Sequence, residues 1–414
     1  DTLAAPLKVG QPEILGRQSA PIWRTELRPI RSAAIAGLAL VALAGSLTGC
    51  QSSSDDQAAG NIVIGVDLEL SGGLATLGKT YQRALELKVE HLNESGVLGD
   101  RKVRLEVKDN RSDPSESLRN INEFAANPDV QAIVMGSCVE CVTASAPAIA
   151  EARVPTIALT TANVADPVAE HRYLFKLGPN AADNAAALVN ELKRQDVDDV
   201  SMLYTDDSYG REGLAAVKAE LRKADIAWSG GQAVKPTDTD VSNAVRKLTS
   251  QNPDALIIWT TAEQATLATV NVGELGYDGK LFFDAGAADS LFLDSSAADS
   301  ADGATMVFTQ TMVIDDVIAN TPAKALRKQW FRDYTSRYGG YAGYSSFAAD
   351  ALQLLVDAVV AASGSGQPNR DTVRDVLETL RLDGLSGPIR LTPDNHSGLM
   401  PQALSMLVAR NGRW

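Results

Sequence analysis

Short apolar runs alternate along most of this chain with longer amphipathic segments. Runs such as 130–135 and 255–259 consist mainly of Val, Ile, Leu, Ala, Met and Trp, which is typical of strands buried on both faces of a sheet. Segment 78–93 instead repeats its apolar residues at the spacing of an amphipathic helix. Because strand and helix patterns alternate repeatedly, the sequence predicts parallel sheets covered by helices on both faces.

The alternation falls into two series, which predict two sheets. Strands are expected at 61–66, 103–107, 130–135, 156–159, 174–178, 200–204, 227–233, 255–259, 281–283, 306–309, 387–391 and 404–408. Helices are expected at 78–93, 115–126, 144–152, 183–194, 211–224, 240–250, 263–275, 323–338, 344–362 and 371–380. The helix at 344–362 is so apolar that we expect it to pack in the interior.

A turn that contains two cysteines, 136–143, lies between the strand at 130–135 and the helix expected at 144–152. In open α/β sheets, ligands bind at the carboxyl ends of the strands, where the free N–H groups of a helix N-terminus favour an anion. The sequence therefore predicts a binding protein whose first contact loop is 136–143.

The first fifty residues carry an export pattern. Two arginines, Arg28 and Arg31, precede an apolar run of 13 residues at 33–45, which fits a secretory segment better than a membrane span. Residues 47–50, Leu-Thr-Gly-Cys, resemble the lipobox of bacterial lipoproteins. The resemblance implies a signal peptide with an extended N-terminus at 1–49, and a lipidated Cys50 with a tether at 50–60. An ordinary buried cysteine in a short helix is the alternative.

Composition limits the class of partner. The chain has 414 residues, 45% of them hydrophobic and 22% charged, which allows two or three ordinary globular domains. Asp and Glu outnumber Lys and Arg by 52 to 38, so the net charge is -14. A nucleic-acid surface needs clustered cations, so none is expected. The simplest explanation of the negative net charge is solubility outside the cytoplasm.

If Cys50 is lipidated, Cys138 and Cys141 remain as an even pair in an oxidising compartment. A disulfide between them is expected, and reduced structural thiols or a redox or metal role are the alternatives. The chain has only 3 His, so no metal site is expected. It also carries no nucleophile elbow, phosphate loop or zinc signature, so an enzyme is only a remote alternative.

Several motifs together carry a family resemblance. They lie at 62–73, 93–99, 105–114, 136–143, 154–156 and 207–210, and at Gly387 and Gly398. In order and spacing they resemble the branched-chain amino-acid and amide binding proteins of ABC importers, over residues 61–414. The resemblance implies an α/β fold with two Rossmann-like lobes, each a parallel sheet flanked by helices, joined by a three-strand hinge: a type I periplasmic binding protein.

The resemblance also implies domains and partners. Lobe 1 would comprise 61–178 plus 311–388, and lobe 2 would comprise 179–310 plus 389–414. The protein would be a monomer, anchored by lipid outside the cytoplasm. It would capture a small polar metabolite, which is an amino acid, an amide or a related carboxylate or amine. It would deliver this ligand to an ABC permease and would need no cofactor. A ligand-sensing receptor of the same fold is the alternative.

Ligand contacts are carried over from the resemblance position by position. They are Ser71, Leu77, Glu140, Cys141, Val142, Thr143, Thr161, Asn163, Tyr209, Thr261 and Asp284. The turns at 140–143 and 160–163 would hold a ligand carboxylate through N–H groups and hydroxyls, although Thr143 as a helix cap and Tyr209 as a packing residue are the simpler explanations. Two departures from the family stand out. Asp284 must replace a Glu that reads the ligand ammonium, and Glu140 would repel a ligand carboxylate unless it points away or its pKa rises.

Overall fold

A computed structural model of the protein describes residues 60–288, 296–364 and 368–414. The expected signal peptide, Cys50 and the tether up to residue 59 lie outside the described residues. The strands are β1 Ile62–Leu68, β2 Val103–Asp109, β3 Val130–Met135, β4 Thr156–Ala158, β5 Leu174–Lys176, β6 Asp199–Thr205, β7 Ala227–Val234, β8 Ala255–Trp259, β9 Lys280–Phe283, β10 Thr305–Thr309, β11 Arg381–Asp383, β12 Pro388–Arg390 and β13 Leu404–Val408. The helices are α1 Ala75–Glu94, α2 Pro114–Ala126, α3 Val139–Ala152, α4 Ala181–Arg194, α5 Ser208–Ala224, α6 Ser242–Thr249, α7 Ala262–Leu275, α8 Pro322–Tyr338, α9 Ser345–Ala362 and α10 Arg370–Leu377.

The strands form two large sheets and a small one. The first sheet has the order β2-β1-β3-β4-β5, and all its pairs are parallel. The second has the order β13-β10-β9-β8-β6-β7 and is parallel except for the antiparallel edge strand β13. Strands β11 and β12 pair antiparallel with each other. The α/β fold with two lobes, each a parallel sheet flanked by helices, is therefore confirmed.

The chain passes between the two lobes three times. The connecting segments are 177–180 between β5 and α4, 310–316 between β10 and α8, and 391–403 between β12 and β13. Helix α4 packs against β10 and β13 of the second sheet, whereas α9 packs against α1 and β3 of the first lobe. The lobe boundaries expected from the sequence fall in these segments or next to them, and they stay a prediction.

Several expected elements were wrong at a boundary, among them α1, which begins at Ala75 and not at 78. Two of these differences have a local reason. Helix α3 begins at Val139, not at residue 144, because Cys138 caps it: the Cys138 sulfur accepts a hydrogen bond from the Cys141 N–H at 3.1 Å. Most of the expected contact turn is therefore the first turn of a helix. Helix α10 ends at Leu377, not at 380, since residues 381–383 leave it to form β11.

Helix α9 is the most apolar helix among the described residues. It is long and apolar enough to span a membrane, but 72% of it is buried inside the protein. Phe347, Leu352 and Leu355 are at most 1% exposed. The helix therefore packs in the interior, as the sequence predicts, and it holds α1 at the edge of the first lobe.

Candidate functional site

A cavity of about 140 Å³ lies between the two lobes. Its lining residues are Gly73, Leu74, Thr76, Leu77, Tyr81, Ser137, Val139, Glu140, Leu159, Thr160, Thr161, Asp207, Tyr209, Thr260, Thr261, Ala262, Glu263, Gly286 and Tyr344. They follow the carboxyl ends of β1, β3 and β4 in one sheet and of β6, β8 and β9 in the other, and Tyr344 precedes α9. Pockets for drug-sized ligands measure roughly 300–1,000 Å³, so this smaller cavity suits a small ligand.

Five of the predicted ligand contacts line this cavity: Leu77, Glu140, Thr161, Tyr209 and Thr261. The other six, Ser71, Cys141, Val142, Thr143, Asn163 and Asp284, are not among its lining residues.

Local contacts explain most of these six positions. The Ser71 hydroxyl donates to Asp109 at 2.7 Å, and the Thr143 hydroxyl donates to the Val139 carbonyl at 2.9 Å, inside its own helix. Cys141 and Val142 lie on the buried face of α3. Thr143 is therefore not a helix cap, and no ligand role for these four residues follows from the geometry.

A buried carboxylate occupies the N-terminus of α3. Glu69, which follows β1, is 0% exposed and accepts hydrogen bonds from the N–H groups of Ser137 at 3.2 Å and Cys138 at 3.0 Å. Gly136 makes room for it, because a Cβ there would lie 2.1 Å from a Glu69 oxygen. Burial raises the pKa of Glu69 to about 7, and these backbone N–H groups oppose the rise. These two amides belong to the expected contact loop 136–143, just before the expected carboxylate-binding positions 140–143, and they already hold an internal carboxylate.

The second expected anion loop is satisfied in the same way. The Ala162 N–H donates to the Thr160 hydroxyl at 3.2 Å, and the Asn163 N–H donates to the Glu212 carboxylate at 3.1 Å. Glu212 lies on α5 of the other lobe. An acceptor of the protein itself thus stands at each turn where the sequence predicted a ligand carboxylate.

Asp284 lies directly behind the cavity wall. It follows β9, is 0% exposed, and accepts a hydrogen bond from the Tyr209 hydroxyl, which belongs to a lining residue. Its Oδ1 atom has no hydrogen-bond partner among the described residues. Burial raises the pKa of Asp284 to about 8. A carboxyl group in this state has capacity left for a ligand donor.

Three hydrogen bonds join the lobes across the cavity. Besides Asn163 to Glu212, the Ser208 hydroxyl donates to Glu140 at 3.0 Å. The Tyr344 hydroxyl donates to the Ala285 carbonyl at 2.7 Å. Glu140 therefore points partly toward the opposite lobe. These bonds hold the two walls of the cavity together.

The arrangement matches a known family. Residues 61–412 match the family model described as "Periplasmic binding protein". The chain belongs to the periplasmic binding protein family. The match covers both lobes that border the cavity.

Relatives and solved structures agree with this family. A chemotactic signal transduction system substrate-binding protein of Halobacterium salinarum is 28% identical, over 77% of this chain and 74% of its own. A Leu/Ile/Val-binding protein homologue of Brucella abortus is 26% identical, over 56% of this chain and 61% of its own. An extracellular ligand-binding receptor of Rhodopseudomonas palustris has the same fold, with a TM-score of 0.77 and 21% identity over 85% of this chain and 98% of its own.

The two cysteines of this periplasmic binding protein are joined by a disulfide within α3 and its cap. Glu69 and both sulfurs lie within 4.8 Å of one another, an arrangement that resembles a metal site. A disulfide removes the thiolates that a metal needs, and Glu69 already accepts amide N–H groups. In this oxidised form the group has no ligand set for a metal ion.

Several site residues escaped the sequence reasoning. Glu69, Glu212, Tyr344, Glu263 and Gly286 all contribute to the cavity or to the groups behind it. One signal was present for Glu69: a carboxylate just after the first buried strand, before Ser71 and Gly72, lies at a strand's carboxyl end. For Gly286 only the fold gives the reason, since a Cβ there would lie 1.8 Å from the Thr260 carbonyl oxygen.

Proposed function

We propose that this protein is a receptor that captures a small polar metabolite between its two lobes and delivers it to an ABC importer. The observation that carries the proposal is the cavity itself. It is lined from both sheets, at the carboxyl ends of parallel strands, and is closed by hydrogen bonds between the lobes. A ligand that touches both walls stabilises the closed form over an open one.

The site suits binding without reaction. The described lining residues include no His, Cys or Lys, and the hydroxyls of Tyr81, Thr260 and Thr261 donate to protein acceptors. None of these three has a base that would remove its proton to make a nucleophile. We therefore propose capture and release, with no cofactor.

The export pattern at 33–50 supports a lipid anchor at Cys50 on the outer face of the cell membrane. A Cys50→Ala variant of the full chain is expected to move from the membrane fraction to the soluble fraction, because a thioether-linked diacylglycerol cannot form. Mutation of the neighbouring serine, Ser52→Ala, is the matched control and should stay in the membrane fraction. A Cys50→Ala protein that remains membrane-bound would contradict the anchor.

Sensing is the second candidate function, because the Halobacterium relative is described as part of a chemotactic signal transduction system. The Brucella relative is described as a Leu/Ile/Val-binding protein homologue. Deletion of the gene separates the two functions. Loss of uptake of the radiolabelled ligand supports transport, whereas normal uptake with a lost chemotactic or transcriptional response supports sensing.

Ligand binding is tested on the purified protein after unfolding and refolding to remove carried ligand. Amino acids, amides, amines and small carboxylates are screened by thermal shift and calorimetry. A true ligand at 100 times its Kd adds about 2.7 kcal/mol to the free energy of unfolding. If no compound in these four classes binds, the receptor function as proposed is wrong.

A further inference from the structure

The tyrosine hydroxyls around the cavity point their protons into the protein. Tyr81 donates to the Leu159 carbonyl at 3.0 Å, and Tyr344 donates to the Ala285 carbonyl at 2.7 Å. The direction of both bonds is fixed, because a backbone carbonyl can only accept. These two hydroxyls therefore offer no proton to a ligand.

The threonine hydroxyls of the second lobe also donate their protons to protein acceptors. Thr260 donates to the Thr261 carbonyl at 3.2 Å, and Thr261 donates to the Gln264 Oε1 atom. The Gln264 amide cannot be turned around, since its Nε2 donates to the carbonyls of Pro236 at 2.7 Å and Asp238 at 3.3 Å. Thr261, which lines the cavity, therefore presents an oxygen lone pair to a ligand.

Three backbone amides near the cavity are also engaged. The Ser137 and Cys138 N–H groups donate to Glu69, and the Asn163 N–H donates to Glu212. A ligand carboxylate needs several donors to replace its hydration. These three amides therefore offer a ligand carboxylate no donor.

The charged residues that line the cavity also favour a cation. Glu140, Asp207 and Glu263 line the cavity, and no Lys, Arg or His is among its described lining residues. Behind the wall, Asp284 has an unpartnered Oδ1 atom and is 0% exposed. Tyr209, which bonds Asp284, also lines the cavity, and tyrosine rings attract ammonium and amidinium groups.

We propose that the ligand is a small organic cation, an amine or amidine without a free carboxylate. This inference rests on the receptor function proposed above and names its ligand class. Ammonium hydrogens would donate to Thr261 and to the Tyr209–Asp284 pair, and the rim carboxylates would attract the ligand into the cleft. A carboxylate on the same ligand would meet the Glu140 carboxylate, while the Ser137 and Cys138 amides already donate to Glu69.

Matched pairs that differ by one carboxylate test this inference on the purified full-length protein. Isoamylamine is compared with leucine, and agmatine with arginine, by calorimetry at low salt. We expect at least one amine to bind about tenfold or more tightly than its amino acid, the effect of gaining charge-assisted hydrogen bonds without an opposing repulsion. The advantage should shrink at 0.5 M salt, because exposed charges are screened.

The outcomes separate this inference from the receptor function. If an amino acid, amide or carboxylate binds and its amine counterpart does not, the cation inference is wrong and the receptor function stands. If no compound of any class binds, both are wrong.

Variants add a second readout. Glu140→Gln with Glu263→Gln removes two rim charges at nearly constant shape, and we expect it to weaken amine binding about tenfold. Glu151→Gln, an exposed carboxylate at the far end of α3, is the control and should leave the affinity unchanged. Equal affinities of the double variant and the control for the amine would overturn the inference.

Discussion

The two lobes each place one fully buried carboxyl group beside the ligand cavity, and the two groups are used differently. Glu69 accepts N–H groups from Ser137 and Cys138 through its two oxygens. Asp284 accepts the Tyr209 hydroxyl, the Gly286 N–H and its own N–H, and its Oδ1 has no hydrogen-bond partner among the described residues. Burial raises both pKa values, to about 7 and about 8.

This difference separates a structural group from a binding group. A buried acid whose acceptor capacity is used by the backbone holds a turn in place, as Glu69 holds the start of α3. A buried acid with capacity left is costly until a donor arrives. The family resemblance put the ligand carboxylate at 140–143 and 160–163 and the ligand ammonium at Asp284, and the unpartnered Asp284 Oδ1 favours the ammonium site.

The largest expected effect is on the pH dependence of stability. Burial raises the pKa of Asp284 from 3.8 to about 8, so the folded protein binds a proton there more tightly than the unfolded chain. That contribution to stability is complete below pH 4 and is lost as pH rises toward 8. Asp284→Asn copies the protonated form, so its stability relative to wild type should rise by about 4 kcal/mol between pH 4.5 and pH 8.5.

Denaturant unfolding at the two pH values measures this change. Asp278→Asn is the control, because Asp278 is an exposed residue just before β9. The stability of this variant should follow that of the wild type at both pH values. A stability difference for Asp284→Asn that does not change with pH would mean that Asp284 is ionised and satisfied in the free protein, like a purely structural acid.

The next effect concerns Glu69. Glu69→Ala leaves the Ser137 and Cys138 N–H groups without their acceptor and opens space under Gly136, so it should lower the free energy of unfolding by about 3 kcal/mol. Glu94→Ala, an exposed acid at the end of α1, should change it by less than about 0.5 kcal/mol. Equal losses for the two variants would show that Glu69 does not hold the turn.

The smallest effect is that of the disulfide. It closes a loop of very few residues, so its removal in Cys138→Ser with Cys141→Ser should cost about 2 kcal/mol in the loop-entropy account. Reduction of the wild type with dithiothreitol should give the same shift in the urea midpoint. An unchanged midpoint in both experiments would assign the order of this turn to Glu69 alone.

The sequence predicted most of the fold because the strands of this protein are nearly continuous apolar runs. Strands β3 and β8 are buried at every position, which makes such runs easy to recognise. The start of α3 was missed because its cap is a cysteine sulfur, which is not among the usual capping groups. Strand β11 was missed because its three residues, two of them charged, pair only with β12.

The site was harder to predict than the fold. The family resemblance pointed to Tyr209, Thr261 and Glu140, which line the cavity in the structure. It gave no indication that Glu69 and Glu212 occupy the amides of the two turns, since such contacts join residues 49 to 69 positions apart. The direction in which the cavity hydroxyls donate also depends on acceptors that only folding brings close to them.

The most direct measurement is the number of protons released when an amine binds. Calorimetry of agmatine or isoamylamine at pH 7, in buffers of different ionisation enthalpy, gives this number from the slope of the binding enthalpy. A cation beside Asp284 lowers the pKa of that carboxyl, so we predict release of about one proton by the wild type and none by Asp284→Asn. Binding of an amine without proton release, or equal release by the two proteins, would contradict the role of Asp284 and the distinction from Glu69.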